Sequence, residues 1–423
     1  MTEVLGGGFA MKSLSFIRKW GGAIVALACV TAAASTSAVH AYGSQPVLGA
    51  TQVAILNVDG LQFKDLNKNG VLDPYEDWRL TPAERAEDLL SRMTLEEKTA
   101  QMIHFTLFRP QQEVITKYDF GFALVYRQLE EGPRQAAEWA NRIQSWCEAS
   151  THGIPMILSM DGMMGASWVR GATLYPDQIG LAATRDPSLV RRLADMQRKE
   201  MLAIGVRMTH SPSADLGTEP RWGRFQETFG EDVELASELV AAAIEGLQNG
   251  TELNPGSVLA CVKHFPGSGP QQDGIDGNPI VLDDDTIDMH LQPFKRAIEA
   301  GAWAIMPYGY STVPYLGGDA VERTAHESAA VMTDLLRNRI GFEGIIQTDW
   351  GMHHVDAALA GADALGGADV RFVSRLAQSV PEEQINDSVR RILIAKFQMG
   401  LFENPYVDPD EAERILGNPD HAK

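Results

Sequence analysis

Short, wholly apolar runs that recur along the chain, each followed by a helical pattern, constrain its fold more than any other feature. They are QMIHF (101–105), GFALVY (121–126), IPMILSMD (154–161), VRMTHSPSAD (206–215), VLACVKHF (258–265), WAIMPYG (303–309), GIIQTD (344–349) and ADALGG from 363. A strand that is apolar at nearly every position is buried on both faces, as in a parallel sheet covered by helices. The segments between them read as amphipathic helices. In 186–204, Asp186 caps, Pro187 takes the first turn, and Leu189, Leu193 and Met196 form one face. In 230–250, Leu235, Leu239, Ala243 and Leu247 recur every fourth residue until Asn249 and Gly250 stop the helix. Segments 132–149, 286–300 and 326–340 follow the same logic. Eight strands, each with its helix, predict a (β/α)8 barrel of the TIM type over 81–400. A doubly wound sheet is the competing fold, but no Gly-rich dinucleotide fingerprint follows the first strand.

The polar residues then fall in one place. Asp161, Asp215, Lys263 with His264, Tyr308 or Tyr310, and Asp349 each stand at the C-terminal end of a different strand. Any one of them alone reads as a loop polar group or a helix cap. In a barrel those ends surround a single mouth, where active sites are built. Asp349 is the sharpest case: the buried strand of FEGIIQTDWGMHH (342–354) has no packing reason to end on a carboxylate. The adjacent His353 and His354 lack a helix-spaced acid, so a rim or solvent-facing role fits them better than a metal site.

The flanks read differently. From Met11, taken as the true start, Lys12, Arg18 and Lys19 precede an apolar run and a small-residue site at 38–41, the pattern of a secretory signal over 1–41. The run is too short to span a membrane, and Cys29 sits in a poor lipobox. The expected location is therefore outside the cytoplasm, periplasmic or secreted. A net charge of −20 argues against nucleic acid and anionic membranes as partners. Beyond the leader only Cys147 and Cys261 remain, enough for one bridge or two buried thiols. In the lead segment 42–80, DLNKNGVLDPYE (65–76) follows the calcium-loop spacing, with Asp65, Asn67, Asn69, Asp73 and Glu76 at ligand positions and Gly70 at the sharp turn. An Asx-rich turn is the competing reading, because the preceding VAILNVDGLQF resembles a strand and not a helix. Calcium, if bound, is structural; no catalytic cofactor is expected. Residues 401–423 read as a linker-like tail.

Five motifs together resemble glycoside hydrolase family 3: KHFPGSG (263–269), GATLYPDQIGLAAT (171–184), EPRWGRFQETFGED (219–232), GIIQTDWG (344–351) and VRRILIAKFQMGLFENPYVDP (389–409). The lead segment KDLNKNGVLDPYEDWR also looks like exported bacterial members called β-glucosidases. The resemblance covers the chain from about residue 75 onwards. It implies a retaining mechanism in which Asp349 is the nucleophile and forms a covalent glycosyl-enzyme. It further implies that Asp161, Arg224, Lys263 and His264 hold the sugar hydroxyls, that Trp350 offers a stacking face, and that Tyr308 or Tyr310 supports the nucleophile. The substrate implied is a β-linked glucoside or related oligosaccharide. Met164 stands where members carry a His after the third-strand Asp, and cannot donate to a hydroxyl. Between strands 7 and 8 only GMHHVDAALAG remains, so a local compression of the barrel is expected there.

The leaving oxygen also needs a proton donor. In two-domain members that acid is a Glu on a second α/β sandwich domain, which is not expected within these 423 residues. Single-domain β-N-acetylglucosaminidases use an Asp-x-His dyad, and the corresponding GPQQDGIDGNP has no His after Asp273. Asp273, Asp276, Glu227 and Glu231 are the in-chain stand-ins, each equally a loop or helix-start carboxylate. Three readings follow: a β-glucosidase-type hydrolase, a barrel that binds β-glycosides but turns them over poorly, and a β-N-acetylglucosaminidase.

Overall fold

A computed structural model describes residues 44–107, 111–125, 131–351 and 353–422. The secretory leader expected at 1–41 lies outside the described residues.

A hairpin leads the described chain: β1 (Ile55–Val58) pairs antiparallel with β2 (Leu61–Lys64). Two helices follow, α1 (Pro82–Arg92) and α2 (Leu95–Gln101). Each starts from a capping box, Thr81 with Glu84 and Thr94 with Glu97, which satisfies the first free N–H groups of the helix.

Eight parallel strands then build one sheet: β3 (Ile103–Leu107), β4 (Phe122–Val125), β5 (Ile157–Met160), β6 (Met208–Thr209), β7 (Leu259–Phe265), β8 (Ala304–Pro307), β9 (Ile345–Ile346) and β10 (Leu365–Gly366). Neighbours follow chain order from β3 to β9, and β10 returns beside β3. The remaining seam, between β9 and β10, is held by a single parallel bridge, Gln347 to Ala364, with Thr348 N donating to Ala364 O at 2.8 Å. The fold is the expected (β/α)-type barrel, with no second sandwich layer among the described residues. Its thinnest point is where the sequence shortens.

The intervening helices are α3 (Gln112–Tyr118), α4 (Pro133–Glu148), α5 (Gln178–Ala182), α6 (Pro187–Ala203), α7 (Val233–Gln248) and α8 (Ile287–Glu299). A π-helix, Ala330–Ile340, precedes β9, and the six-residue α9 (His354–Leu359) is all that joins β9 to β10. Three more close the chain: α10 (Val370–Ser379), α11 (Glu382–Gln398) and α12 (Pro409–Ile415). Asn249 ends α7 in the left-handed conformation, as its position before Gly250 predicts.

Two expectations change. The buried face of α6 is Val190, Ala194, Gln197 and Met201, one residue on from the predicted Leu189, Leu193 and Met196, which are half-buried. The rotation has a polar cause: Glu200 and Arg198 are turned inward, Glu200 to Thr173 and Arg198 to the Gly256 carbonyl. The stretch from 401 is no free tail, because Leu401, Phe402 and Ala412 are buried and Arg85 pairs with Glu403 at 2.7 Å. Cys147 and Cys261 are two separate buried thiols. No helix among the described residues is long and apolar enough to cross a membrane.

Candidate active site

The strands are short and their C-terminal ends release residues into loops at once, so side chains a hundred residues apart converge. A cavity of about 360 Å³ at the mouth is lined by Asp161, Arg224, Lys263, His264, Tyr310, Asp349 and Trp350, with Thr106, Leu124, Trp168, His210 and Met306 completing the wall. Asp349 follows β9 by three residues and is mostly buried. Its Oδ1 accepts one hydrogen bond, from the Trp350 N–H at 2.7 Å. Backbone crowds it from the next loop: a Cβ at Gly309 would lie 2.7 Å from Asp349 Cβ and 3.0 Å from its Cγ. Only glycine lets the chain pass that closely, which explains the Gly between Tyr308 and Tyr310.

That glycine also separates two tyrosines with different tasks. Tyr308 is fully buried and its hydroxyl donates to Asp276. Burial, and then Asp276, push that phenol well above the ordinary range. Tyr310 is 51 % exposed and lines the cavity; the Asp349 charge, with burial, raises its phenol. The tyrosine facing the Asp349 charge is therefore Tyr310. Tyr308, the other candidate for supporting the nucleophile, does not line the cavity.

Lys263 Nζ meets Asp161 Oδ1 at 3.1 Å. Burial pushes the Asp161 carboxyl up, but Lys263, His210 and Arg224 outweigh it and hold Asp161 below the usual carboxylate range. Arg224 forks onto Glu227, with Nε at 3.0 Å and Nη2 at 2.8 Å. Burial would lower the guanidinium, but Glu227 keeps Arg224 above its ordinary value. Arg224 also donates to His264 Nε2 at 3.1 Å, which fixes that ring's tautomer, since Nδ1–H then donates to Asp215 at 2.8 Å. Burial and the Arg224 charge both lower His264, consistent with a neutral ring.

Asp215 corrects the sequence reading. It does not line the cavity but lies beneath it, accepting from Ser213 Oγ, His264 and the Ser268 N–H, and those donors hold it ionised against burial. It organises the site without facing it.

Trp350 is fixed from three sides. Its Nε1 donates to Thr106 Oγ1 at 2.8 Å, and the rings of His104 and His210 each stand edge-on to it at 5.2 Å. Burial pushes His210 down to about 4, and Gln347 donates to its Nε2. Sequence reasoning passed over His104, His210, Thr106 and Trp168, although His104, Thr106 and His210 sit in or beside the predicted strands. A polar residue at an inward position of an otherwise apolar strand is the signal that would have found them. His326 was missed too; it comes within 2.7 Å of a Cβ built on Gly351. His353 is exposed as expected, whereas His354 is buried edge-on to Phe372 at 4.5 Å.

The other carboxylates considered as proton donors are occupied or distant. Glu227 holds Arg224, Asp276 accepts from Tyr308 and from Trp222 Nε1, and Asp273 and Glu231 are exposed residues that do not line the cavity. Met164 is also exposed, on the loop after β5.

The 65–76 loop is knit to itself. Asp65 accepts from the N–H groups of Asn69 and Gly70, Asp73 from the amides of Asn67 and Asn69, and Glu76 from the N–H groups of Leu66, Asn67 and Asp73. Among the described residues no three His, Cys, Asp or Glu side chains converge as a metal cage. Lys68 of the same loop donates to Leu66 O and to Glu148 O at the end of α4, the floor of the barrel. A cation in this loop would brace the fold and take no part in chemistry at the mouth.

Fold and mouth together define a (β/α)-barrel protein of the class that gathers carboxylates and cations at the C-terminal strand ends. The profile of the glycosyl hydrolase family 3 N terminal domain matches residues 94–395, and the chain belongs to that family. It is 37 % identical to a periplasmic beta-glucosidase/beta-xylosidase of Dickeya chrysanthemi, covering 89 % of this chain and 67 % of that protein. It is 35 % identical to a probable beta-glucosidase C of Aspergillus flavus, covering 81 % and 62 %. Among solved structures it resembles an exo-1,3/1,4-beta-glucanase from a Pseudoalteromonas species, with a TM-score of 0.74, 27 % identity, and coverage of 80 % of this chain and 59 % of that one. The chain thus spans roughly three fifths to two thirds of the length of these relatives.

Proposed function

We propose that this chain is the barrel of a retaining glycosidase acting on β-linked glucosides, exported to the periplasm or beyond. One observation carries the reading. Among the described residues Asp349 accepts a single hydrogen bond, in a cavity it shares with the Lys263–Asp161 pair, Arg224 and the braced indole of Trp350. A carboxylate so lightly bonded keeps lone pairs available for attack, while charged donors around it suit sugar hydroxyls. The names of the relatives, beta-glucosidases and a beta-xylosidase among them, support the same substrate class, and the periplasmic relative supports the location.

In this mechanism the sugar sits over Trp350, its hydroxyls held by Asp161, Lys263, His264 and Arg224. Asp349 attacks the anomeric carbon, the aglycone leaves with its bonding electrons, and a covalent glycosyl-enzyme results. Water then attacks that carbon and frees Asp349. The leaving oxygen must be protonated in step one unless it is already a stable anion. Among the described residues the carboxylates lining the cavity are Asp349 and Asp161, and Lys263 keeps Asp161 ionised. The barrel therefore contributes nucleophile and sugar grip. Aryl glucosides with acidic phenols need no donor from it, whereas disaccharides do.

The test is labelling with 2,4-dinitrophenyl 2-deoxy-2-fluoro-β-glucoside, followed by peptide mass spectrometry. A fluoroglucosyl adduct on the peptide bearing Asp349 is expected. Folded protein that releases no dinitrophenolate and carries no adduct would refute the hydrolase reading.

A further inference from the structure

Asp276 lies on the loop between β7 and α8, 54 residues from Trp222 and 32 from Tyr308, yet one of its oxygens serves both. Oδ1 accepts from Trp222 Nε1 at 2.8 Å and from the Tyr308 hydroxyl. Both rings are buried, and each stands with its centroid 5.8 Å from the Arg224 guanidinium carbon. On its other edges Arg224 is fixed by Glu227 and His264. The residue lines the cavity beside Asp349.

We propose that Asp276 is a positioning residue for sugar binding: by holding the Tyr308 and Trp222 rings together it clamps Arg224 in the orientation that meets the sugar. The proposal rests on the glycosidase reading of the same cavity. Asp276 itself is held by its backbone. Its turn closes with Asn278 N donating to Ile275 O at 3.1 Å and Gly277 N to Gln271 Oε1 at 2.9 Å. The same loop is tied to the one after β8 through Ile280 N to Thr312 O at 3.0 Å. A carboxylate fixed this way is the acceptor that a buried hydroxyl and a buried indole N–H both need; without it each loses its partner. Guanidinium faces prefer aromatic neighbours, so rings held in place hold the cation as well. Both contacts of Asp276 are donors, which suits an acceptor and not a group that must deliver a proton.

The experiment compares wild type, Asp276→Ala, Asp276→Asn and Tyr308→Phe in the fluoroglucoside assay, separating the inactivator's binding constant KI from its rate constant kinact. Glucose affinity is measured alongside by calorimetry, so that the result does not depend on labelling. Asp276→Ala should weaken KI and glucose binding about 10-fold, the scale of one or two lost hydrogen bonds, with kinact unchanged. Asp276→Asn, which keeps a carbonyl acceptor, should recover part of the loss, and Tyr308→Phe, which keeps the ring, should fall between. An Asp276→Ala protein with unaltered KI and glucose affinity but a lower melting temperature overturns the proposal, leaving a structural role only. So does a rate defect that deepens as the leaving group becomes more basic, with turnover of the dinitrophenyl glucoside restored by azide, which would make Asp276 the acid. Wild type that binds glucose but takes no label would instead count against Asp349 as nucleophile, and the clamp would still be decided by the glucose affinities.

Discussion

The floor and the mouth of this barrel use the same residue types in opposite ways. At the floor, Lys64 meets Glu148 at 2.7 Å, and Glu148 also accepts from the N–H groups of Thr51 and Gln52 and the hydroxyl of Tyr406. Arg85 meets Glu403, and the fully buried Lys396 donates to Gln101 at 2.7 Å. These groups are spent on one another, and they bind the lead segment and the C-terminal stretch to the barrel. At the mouth, Asp349 has one donor among the described residues, and Asp161, Lys263 and Arg224 border open space. Charge that is satisfied stabilises; charge left half-satisfied over a cavity is what a ligand completes.

The first way to break this contrast is to remove the half-satisfied carboxylate. Asp349→Asn should lower turnover of aryl β-glucosides by at least about 10³-fold, as removal of a nucleophile does, while the melting temperature holds or rises. Steady-state rates with calorimetric melting check both halves. A variant that lost stability and kept its rate would mean that Asp349 belongs with the floor.

The reciprocal change is Glu148→Ala. It leaves Lys64 buried without its anion, and breaking such a pair costs about 3–5 kcal/mol. Urea unfolding should register that loss, and the affinity for glucose in the folded protein should stay within about twofold, since additivity holds for distant sites. A large change in affinity would show that the two ends are coupled.

Gly309→Ala sharpens the contrast from the other side. Its Cβ would press on Asp349, so loop or carboxylate must move by a few tenths of an ångström or more. Displacing the proposed nucleophile on that scale should cost about 10–100-fold in kcat/KM with aryl glucosides and little in stability. Equal loss of both would argue that the loop is packed for the fold and not for Asp349.

The mouth was far more legible in the sequence than the floor. Strand ends carry their own address: an acid or a base after a buried run can be placed at the rim from spacing alone, which is how Asp161, Lys263, His264 and Asp349 came together. Tyr308 and Tyr310 could not be told apart, because the reason lies in Asp276 and Gly309, a contact from another loop and a steric limit. The floor leaves no such trace. Thr51, Glu148 and Tyr406 belong to three remote segments, and polar pairing at that range has no period to read. The α6 face was misplaced by one residue for a related reason, since Glu200 is buried by partners that local hydrophobicity does not reveal.

Acid should distinguish the two ends most gently. Burial pushes His210, His290 and His354 down to about 4 from the ordinary 6.5. Each is neutral when folded, so the unfolded chain takes up protons first. Their contribution is complete above about pH 6.5 and is lost as the pH falls toward 4. The floor behaves otherwise: although burial raises Glu148, Lys64 and the backbone donors outweigh it and hold the carboxyl below its usual value, so that pair persists through this window. Melting temperature should fall by about a few degrees between pH 7.5 and 5.5. His290→Leu should flatten that slope, while Glu148→Ala should lower the whole curve without changing its shape above about pH 5. A slope that vanished with Glu148 would place the acid sensitivity in the floor's ion pairs instead.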